Sequence, residues 1–140
     1  MSNQGLEVID HTVHITHEWI NELAERVGYT SKRSALRLLR TTLHMVRDRL
    51  HPNEMAQFSA QLPMLIRGML FEGWQPKHVP KRSVHFGPAI TEAMDEAEEF
   101  RGEDDARYVF DLLNHRISRG EVEDIRASLP EEIRAFWPAP

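Results

Sequence analysis

The sequence predicts an all-α protein: two tandem pseudo-repeated four-helix units packed into one compact helical body. Three observations carry that expectation. Apolar residues recur at spacings of three and four, the period of an amphipathic helix. Residues 86–140 align on residues 19–73 without a gap at a displacement of 67. Leu62-Pro63 and Leu129-Pro130 stand at the same point of each copy. The alignment keeps Glu25/Glu92, Arg40/Arg107, Arg49/Arg116, Glu54/Glu121 and Arg67/Arg134 as identities. It also keeps apolar character at Trp19/Phe86, Leu23/Ile90, Leu43/Phe110, Val46/Leu113 and Ile66/Ile133. Self-similarity of this kind decides an architecture before any single helix is placed.

The elements follow in order. Residues 1–16 read as a flexible or extended arm, because their apolar pattern is weak. Residues 17–73 are the first unit. Its first helix is expected from His17 to Val27, with Thr16 as N-cap and Gly28 as the stop. The second follows Thr30-Ser31 and runs to about Leu50, with Leu36, Leu39, Leu43, Val46 and Leu50 along one face. The third starts at His51-Pro52, where proline in the first turn gives up an N–H that would have no helical partner. The fourth starts the same way at Leu62-Pro63 and ends near Gly73. Leu62, Pro63, Leu129 and Pro130 are therefore structural corners: proline stops one helix and starts the next, and leucine packs beneath the bend. Residues 74–85 contain Pro76 and Pro80 and form a connector. Residues 86–140 are the second unit, with helices expected over 87–100, 104–119, 121–128 and 130–137.

Composition narrows the function. Hydrophobic residues make up 41% and charged residues 28% of the chain, which excludes wholesale disorder. The chain has no cysteine, which removes disulfides, thiolate zinc sites and cysteine nucleophiles. No apolar run reaches the length of a membrane span, and Met1 to Gly5 lack the regions of a signal peptide. A cytoplasmic location is expected, with no membrane partner. The formal net charge of −5 is unevenly spread. Residues 17–72 carry eight Lys/Arg against six Asp/Glu, and the connector adds Lys77, Lys81 and Arg82. Residues 86–140 carry six Arg against fourteen Asp/Glu. Opposite fields of this kind orient two halves, or two protomers, toward each other.

The stretches Leu43–Leu50, Ala60–Gly68 and Glu72-Gly73-Trp74, with the later Gly120–Pro138, resemble a bacterial family catalogued as domain of unknown function 2267. The resemblance covers nearly the whole chain from about Val8 onward, and the paired Leu-Pro segments make it specific. It implies a helical, two-repeat bacterial protein. It implies no activity, cofactor or catalytic residue.

Several constellations could carry chemistry. His11, His14 and His17 are spaced by three, and neutral imidazoles bind zinc, copper or nickel; helical ligand pairs usually sit four apart, so solvated histidines on an arm are the more ordinary explanation. His44, Asp48 and His51 share one helical face. At the displacement of 67, His44 aligns with Asp111 and Asp48 with His115, so the second helix of each unit carries the same pair in reversed order. Convergence of His44, Asp48, Asp111 and His115 would give a metal or acid–base site. At 100° per residue, however, this face lies opposite the apolar stripe, toward solvent. Exposed His–Asp pairs are more often modest helix stabilisers. Arg33, Arg37, Arg40 and Arg47 form a stripe that could hold phosphates or a protein partner. The acidic second half argues against nucleic acid. The carboxylates from Glu92 to Asp105 lack the spaced loop that calcium requires. Trp19, Trp74 and Trp137 are expected in the core or along the seam between units.

No nucleophile elbow, phosphate loop, dinucleotide fingerprint or zinc-protease motif is present. The reading that fits best is a non-enzymatic protein-interaction or structural module without a cofactor, with an unknown protein partner or a second copy of itself. Two alternatives stand beside it. One is a small-molecule or metal-binding protein using the His/Asp pairs. The other is polyanion binding through the arginine stripe.

Overall fold

A computed structural model describes residues 5–77 and 85–140. Expectations that concern residues 1–4 and most of the connector, Pro80, Lys81 and Arg82 among them, lie outside the described residues. Within them the chain is all-α, with eight helices, one 3-10 turn and no strand.

Helix α1 spans Glu7–Val27. It starts ten residues before the expected His17, so residues 7–16 are helix rather than arm, and Thr16 lies inside it rather than capping it. The reason is polar as well as apolar. Thr12 and Thr16 are buried, and the Thr16 hydroxyl donates to the Thr12 carbonyl at 2.6 Å. The Thr12 hydroxyl oxygen in turn accepts the Leu65 N–H at 3.3 Å, which ties this stretch to a later helix. Glu7 and Asp10 sit in the first turn, where the helix dipole favours negative charge. Gly28 ends the helix as expected, at φ 80°, with its N–H on the Ala24 carbonyl at 2.9 Å.

Helix α2 spans Lys32–Arg47, three residues short of the expected Leu50. The Ser31 hydroxyl accepts the Ser34 N–H at 3.1 Å and caps it. Helix α3 spans Pro52–Ala60, with proline in its first turn and Glu54 reaching back to the His51 N–H at 2.8 Å. Helix α4 spans Met64–Phe71, and Pro63 stands just outside it as the N-cap residue.

The second half differs more from expectation. Helix α5 spans only Phe86–Ala93, seven residues short of Phe100. Continuing it would stack Asp95, Glu96, Glu98 and Glu99 at the negative end of the helix dipole. The backbone instead turns away, with Glu96 at φ 65° and Gly102 at φ 147°. A 3-10 turn at Glu103–Asp105 leads into α6, Ala106–Arg116, then α7, Arg119–Ala127, and α8, Glu131–Arg134. The last helix is shorter than expected because Phe136 and Trp137 fold back into the interior.

Helices α3 and α7 start and end 67 positions apart. Pro63 (φ −58°, ψ 152°) and Pro130 (φ −59°, ψ 151°) share one backbone geometry, above buried Leu62 and Leu129. The first helices of the two halves do not match: α1 has 21 residues and α5 has 8.

One core runs through both halves. Helices α1, α2 and α6 pack against one another; α4 closes against α1 and α2, α5 against α2, and α3 touches α7. Leu38, Leu39, Leu43 and Val46 of α2 are fully buried, while Leu36, expected on the stripe, is only half-buried. Trp137 stacks on Phe110 at 4.9 Å, and Phe86 meets Phe136 at 5.0 Å, so the chain's last residues join its middle. Trp19 is buried, and Trp74 packs edge-on against Phe71 at 5.5 Å at the margin of the core.

Candidate functional site

The last carbonyls of an α-helix have no partner within it and collect negative partial charge. A guanidinium offers five donors and a fixed positive charge. In this chain, arginines repeatedly meet helix ends. Arg47 is only 8% exposed; its guanidinium donates to the Leu70 carbonyl at 3.0 Å, to the Glu72 carbonyl, and to Asp48 at 3.1 Å. Beside it His44 Nε2 lies 2.6 Å from the Met69 carbonyl, and since a carbonyl only accepts, Nε2 carries the hydrogen. Arg40 grips the Glu72 carboxylate, through Nε at 2.9 Å and Nη2 at 3.3 Å. Arg37 donates to the Ala93 and Asp95 carbonyls at 3.0 and 2.9 Å, at the end of α5. Arg67 donates to the Ser59 and Leu62 carbonyls at 2.9 and 3.1 Å, and Arg107 to the Ala135 carbonyl at 2.8 Å.

The expected anion-binding stripe is therefore mostly used internally. Arg37, Arg40 and Arg47 fasten the ends of α5 and α4 to α2, and Arg47 is buried rather than presented. Arg33 is exposed beside a shallow groove of about 210 Å³, which Ser31, Ser34, Arg37, Glu96 and Glu98 also line. The N-terminus of α2, the natural place for an anion, already holds one. Glu99 accepts the Thr30 N–H at 2.8 Å and the Ser31 N–H at 2.6 Å. These two backbone hydrogen bonds hold its carboxyl below the usual carboxylate range.

The four residues expected at a shared metal site are not brought together. His44 faces the end of α4, half-buried rather than opposite the core. His115, on α6, is exposed and holds Glu22 of α1 through Nδ1 at 2.7 Å. Asp48 pairs with Arg47. Among the described residues, no three histidine and carboxylate side chains are placed to hold a metal ion, Asp111 and the His11/His14/His17 series among them.

The two halves are joined by polar bonds that sequence pattern did not reveal. Tyr29 donates to Asp105 at 2.7 Å in the interior; burial, with Asp105 beside it, pushes the phenol far up. Arg101 holds the same carboxylate at 3.0 Å and the Val27 carbonyl at 2.5 Å. Glu22 takes hydrogen bonds from Arg116 and Arg26 at 2.9 and 2.8 Å as well as from His115. The charge asymmetry read from composition is not resolved by a simple basic-to-acidic facing. Here the carboxylate, Glu22, comes from the first half and two of its three partners, His115 and Arg116, from the second, while Arg26 lies on the same helix as Glu22.

One surface remains uncommitted. The large hydrophobic side chains exposed among the described residues are Leu6, Val8, Ile9, Val13, Met64 and Leu65. They come from only two places, the first turns of α1 and the start of α4. Val8 is 63% exposed and Met64 56%. Between these segments runs a groove of about 250 Å³, lined by Val8, Ile15, Leu62, Pro63 and Met64, with His11 and Arg67 at its polar edge. The Leu62-Pro63 corner thus does more than end a helix: it forms one wall of the groove. Leu6, Ile9 and Val13, spaced by three and four, are a sequence signal for helix here, but they lie on a different face of α1 from Val8, His11, Thr12 and Ile15.

Among the described residues no helix is long and apolar enough to cross a membrane. No curated protein matches the chain. The chain belongs to the DUF2267 family, described as an uncharacterized conserved protein, which it matches over residues 16–136.

Proposed function

From this member of an uncharacterized helical family, we propose a non-enzymatic protein-interaction module that docks another protein through the surface made by the start of α1 and the α3–α4 corner. The single observation that carries the reading is the groove between α1 and the α3–α4 corner, with the exposed hydrophobics Val8 and Met64 on its two walls. Scattered apolar side chains on a surface are ordinary, whereas contiguous ones mark contact sites. A groove bounded by a helix and a proline corner suits the apolar face of a partner helix, the helix-in-groove mode.

Support also comes from the use of charge. Arg37, Arg40 and Arg47 are taken up at helix ends, so the apolar surface is the stronger candidate for an external contact. The test is site-specific photocrosslinking of the full chain in extract from its native cells. A photoreactive residue at Val8 is expected to give a discrete protein adduct, and one at exposed Asp124 on α7 is not. Equal labelling from the two positions, or none from Val8, contradicts the proposal.

A further inference from the structure

Resting on the docking reading above, we infer that the partner enters the groove as an amphipathic helix that carries an acidic side chain beside its apolar face. The size and walls of the groove select a helix. Its volume is about 250 Å³, under the roughly 300–1,000 Å³ of pockets that enclose small molecules. It suits apolar side chains projecting from a larger body. The backbone around it is already paired. The Leu65 N–H goes to Thr12, and the Ser59 and Leu62 carbonyls go to Arg67. The described residues have no strand and so no sheet edge. An extended segment would bury N–H and C=O groups without partners, whereas a helix pairs its own.

Charge selects the acid. None of the residues lining the groove carries a carboxylate, and Arg67 and His11 stand at its edge. Arg67 is exposed, and among the described residues its guanidinium meets carbonyls and no carboxylate. Its positive charge is therefore open to a partner. His11 is exposed and adds a ring N–H. Glu7 and Asp10 of α1 lie outside the lining, about 100° and 160° around the helix from Val8. The repeat points the same way. At the displacement of 67, Met64 and Leu65 align with Glu131 and Glu132. The first turn of α8 carries these two carboxylates, and the first turn of α4 carries none. Negative charge is favoured at a helix start. In the second half the chain supplies it. In the first half the same positions are apolar and exposed, and the partner's carboxylate supplies it.

The experiment is selection of a displayed library of helical peptides, randomised on an alanine background, against the purified full chain. Selected peptides are expected to carry apolar residues at spacings of three and four, with Asp or Glu flanking them. Replacing that acid by glutamine in a selected peptide is expected to weaken binding about two- to five-fold. Arg67→Glu is expected to turn the selection toward Lys or Arg. The peptide-side change leaves the chain intact, so it decides the case even where Arg67→Glu, by releasing two carbonyls, unsettles the fold. Val8→Asp/Met64→Asp alters exposed positions and is expected to abolish binding with unchanged helical circular dichroism. Selected peptides without an acid, an acid-to-glutamine change without effect, or binding that survives Val8→Asp/Met64→Asp overturns the proposal. If no peptide is selected while Val8 still crosslinks to a protein, the acidic helix fails and the docking reading stands.

Discussion

The phenol of Tyr29 donates to Asp105 at 2.7 Å across 76 residues of sequence, in the interior of the molecule. Tyr29 follows the stop of α1, and Asp105 opens α6. Arg101 completes the node by holding Asp105 and the Val27 carbonyl together. Removing the phenol oxygen leaves one side of a buried carboxylate without its donor, which costs more than an ordinary hydrogen bond is worth. Tyr29→Phe is expected to lower stability by about 1–3 kcal/mol, measured by urea denaturation. Because this node joins the halves, tryptophan fluorescence and circular dichroism are expected to report one coincident transition.

The position of Arg47 gives a second prediction. A buried arginine that satisfies the end of α4 is structural, and an exposed arginine beside a shallow groove is not. Arg47→Leu is expected to cost about 1–3 kcal/mol through unsatisfied carbonyls. Arg33→Ala is expected to stay within about 0.5 kcal/mol of the parent. Thermal melts of the two variants side by side check the contrast.

Trp137 is fully buried, stacks on Phe110, and donates its indole N–H to Asn114 at 2.7 Å. Trp137→Ala is expected to cost about 3–5 kcal/mol, and Asn114→Leu a smaller amount by orphaning the indole donor. Denaturant titration of both variants gives the ranking.

Glu22 provides the pH dependence. Partial burial pushes its carboxyl up, but hydrogen bonds from Arg26 and His115 and the charge of Arg116 outweigh that push and leave it below its ordinary value of 4.5. A carboxyl lowered on folding stabilises the fold above its unfolded value, and the benefit disappears as pH falls through the lowered folded value. The stability gap between the parent chain and Glu22→Gln is therefore expected to be full above pH 4.5 and to close below it. Melting temperatures of both proteins across the acidic range measure the gap.

The parts of the fold that were legible in the sequence are those set by local chemistry. Gly28 ends α1 because a left-handed residue is needed there, Ser31 caps α2 through its hydroxyl, and Pro52 and Pro63 punctuate by lacking an N–H. The start of α1 was missed because histidines and threonines interrupt its apolar pattern, although Leu6, Ile9 and Val13 keep the helical spacing. The end of α5 was missed because it depends on where Glu99 goes, to the N-terminus of a helix 69 residues earlier. The arginine stripe was correctly placed on one helix, but its role is tertiary: only the fold decides which helix ends arrive beside Arg37 and Arg47. The reversed His/Asp pairs failed as a joint site for the same reason, since His44 and His115 turn to different neighbours.

The central claim, that the groove between the start of α1 and the α3–α4 corner is a docking surface, is tested most directly by amide hydrogen exchange on the full chain, alone and with the partner that crosslinks at Val8. A helix end that gains a neighbour frays less. The expected result is slower exchange with the partner, confined to residues 8–15 and 62–67, with α7 unchanged. Identical exchange in those two segments with and without the partner, or slowing that maps elsewhere, would contradict the account.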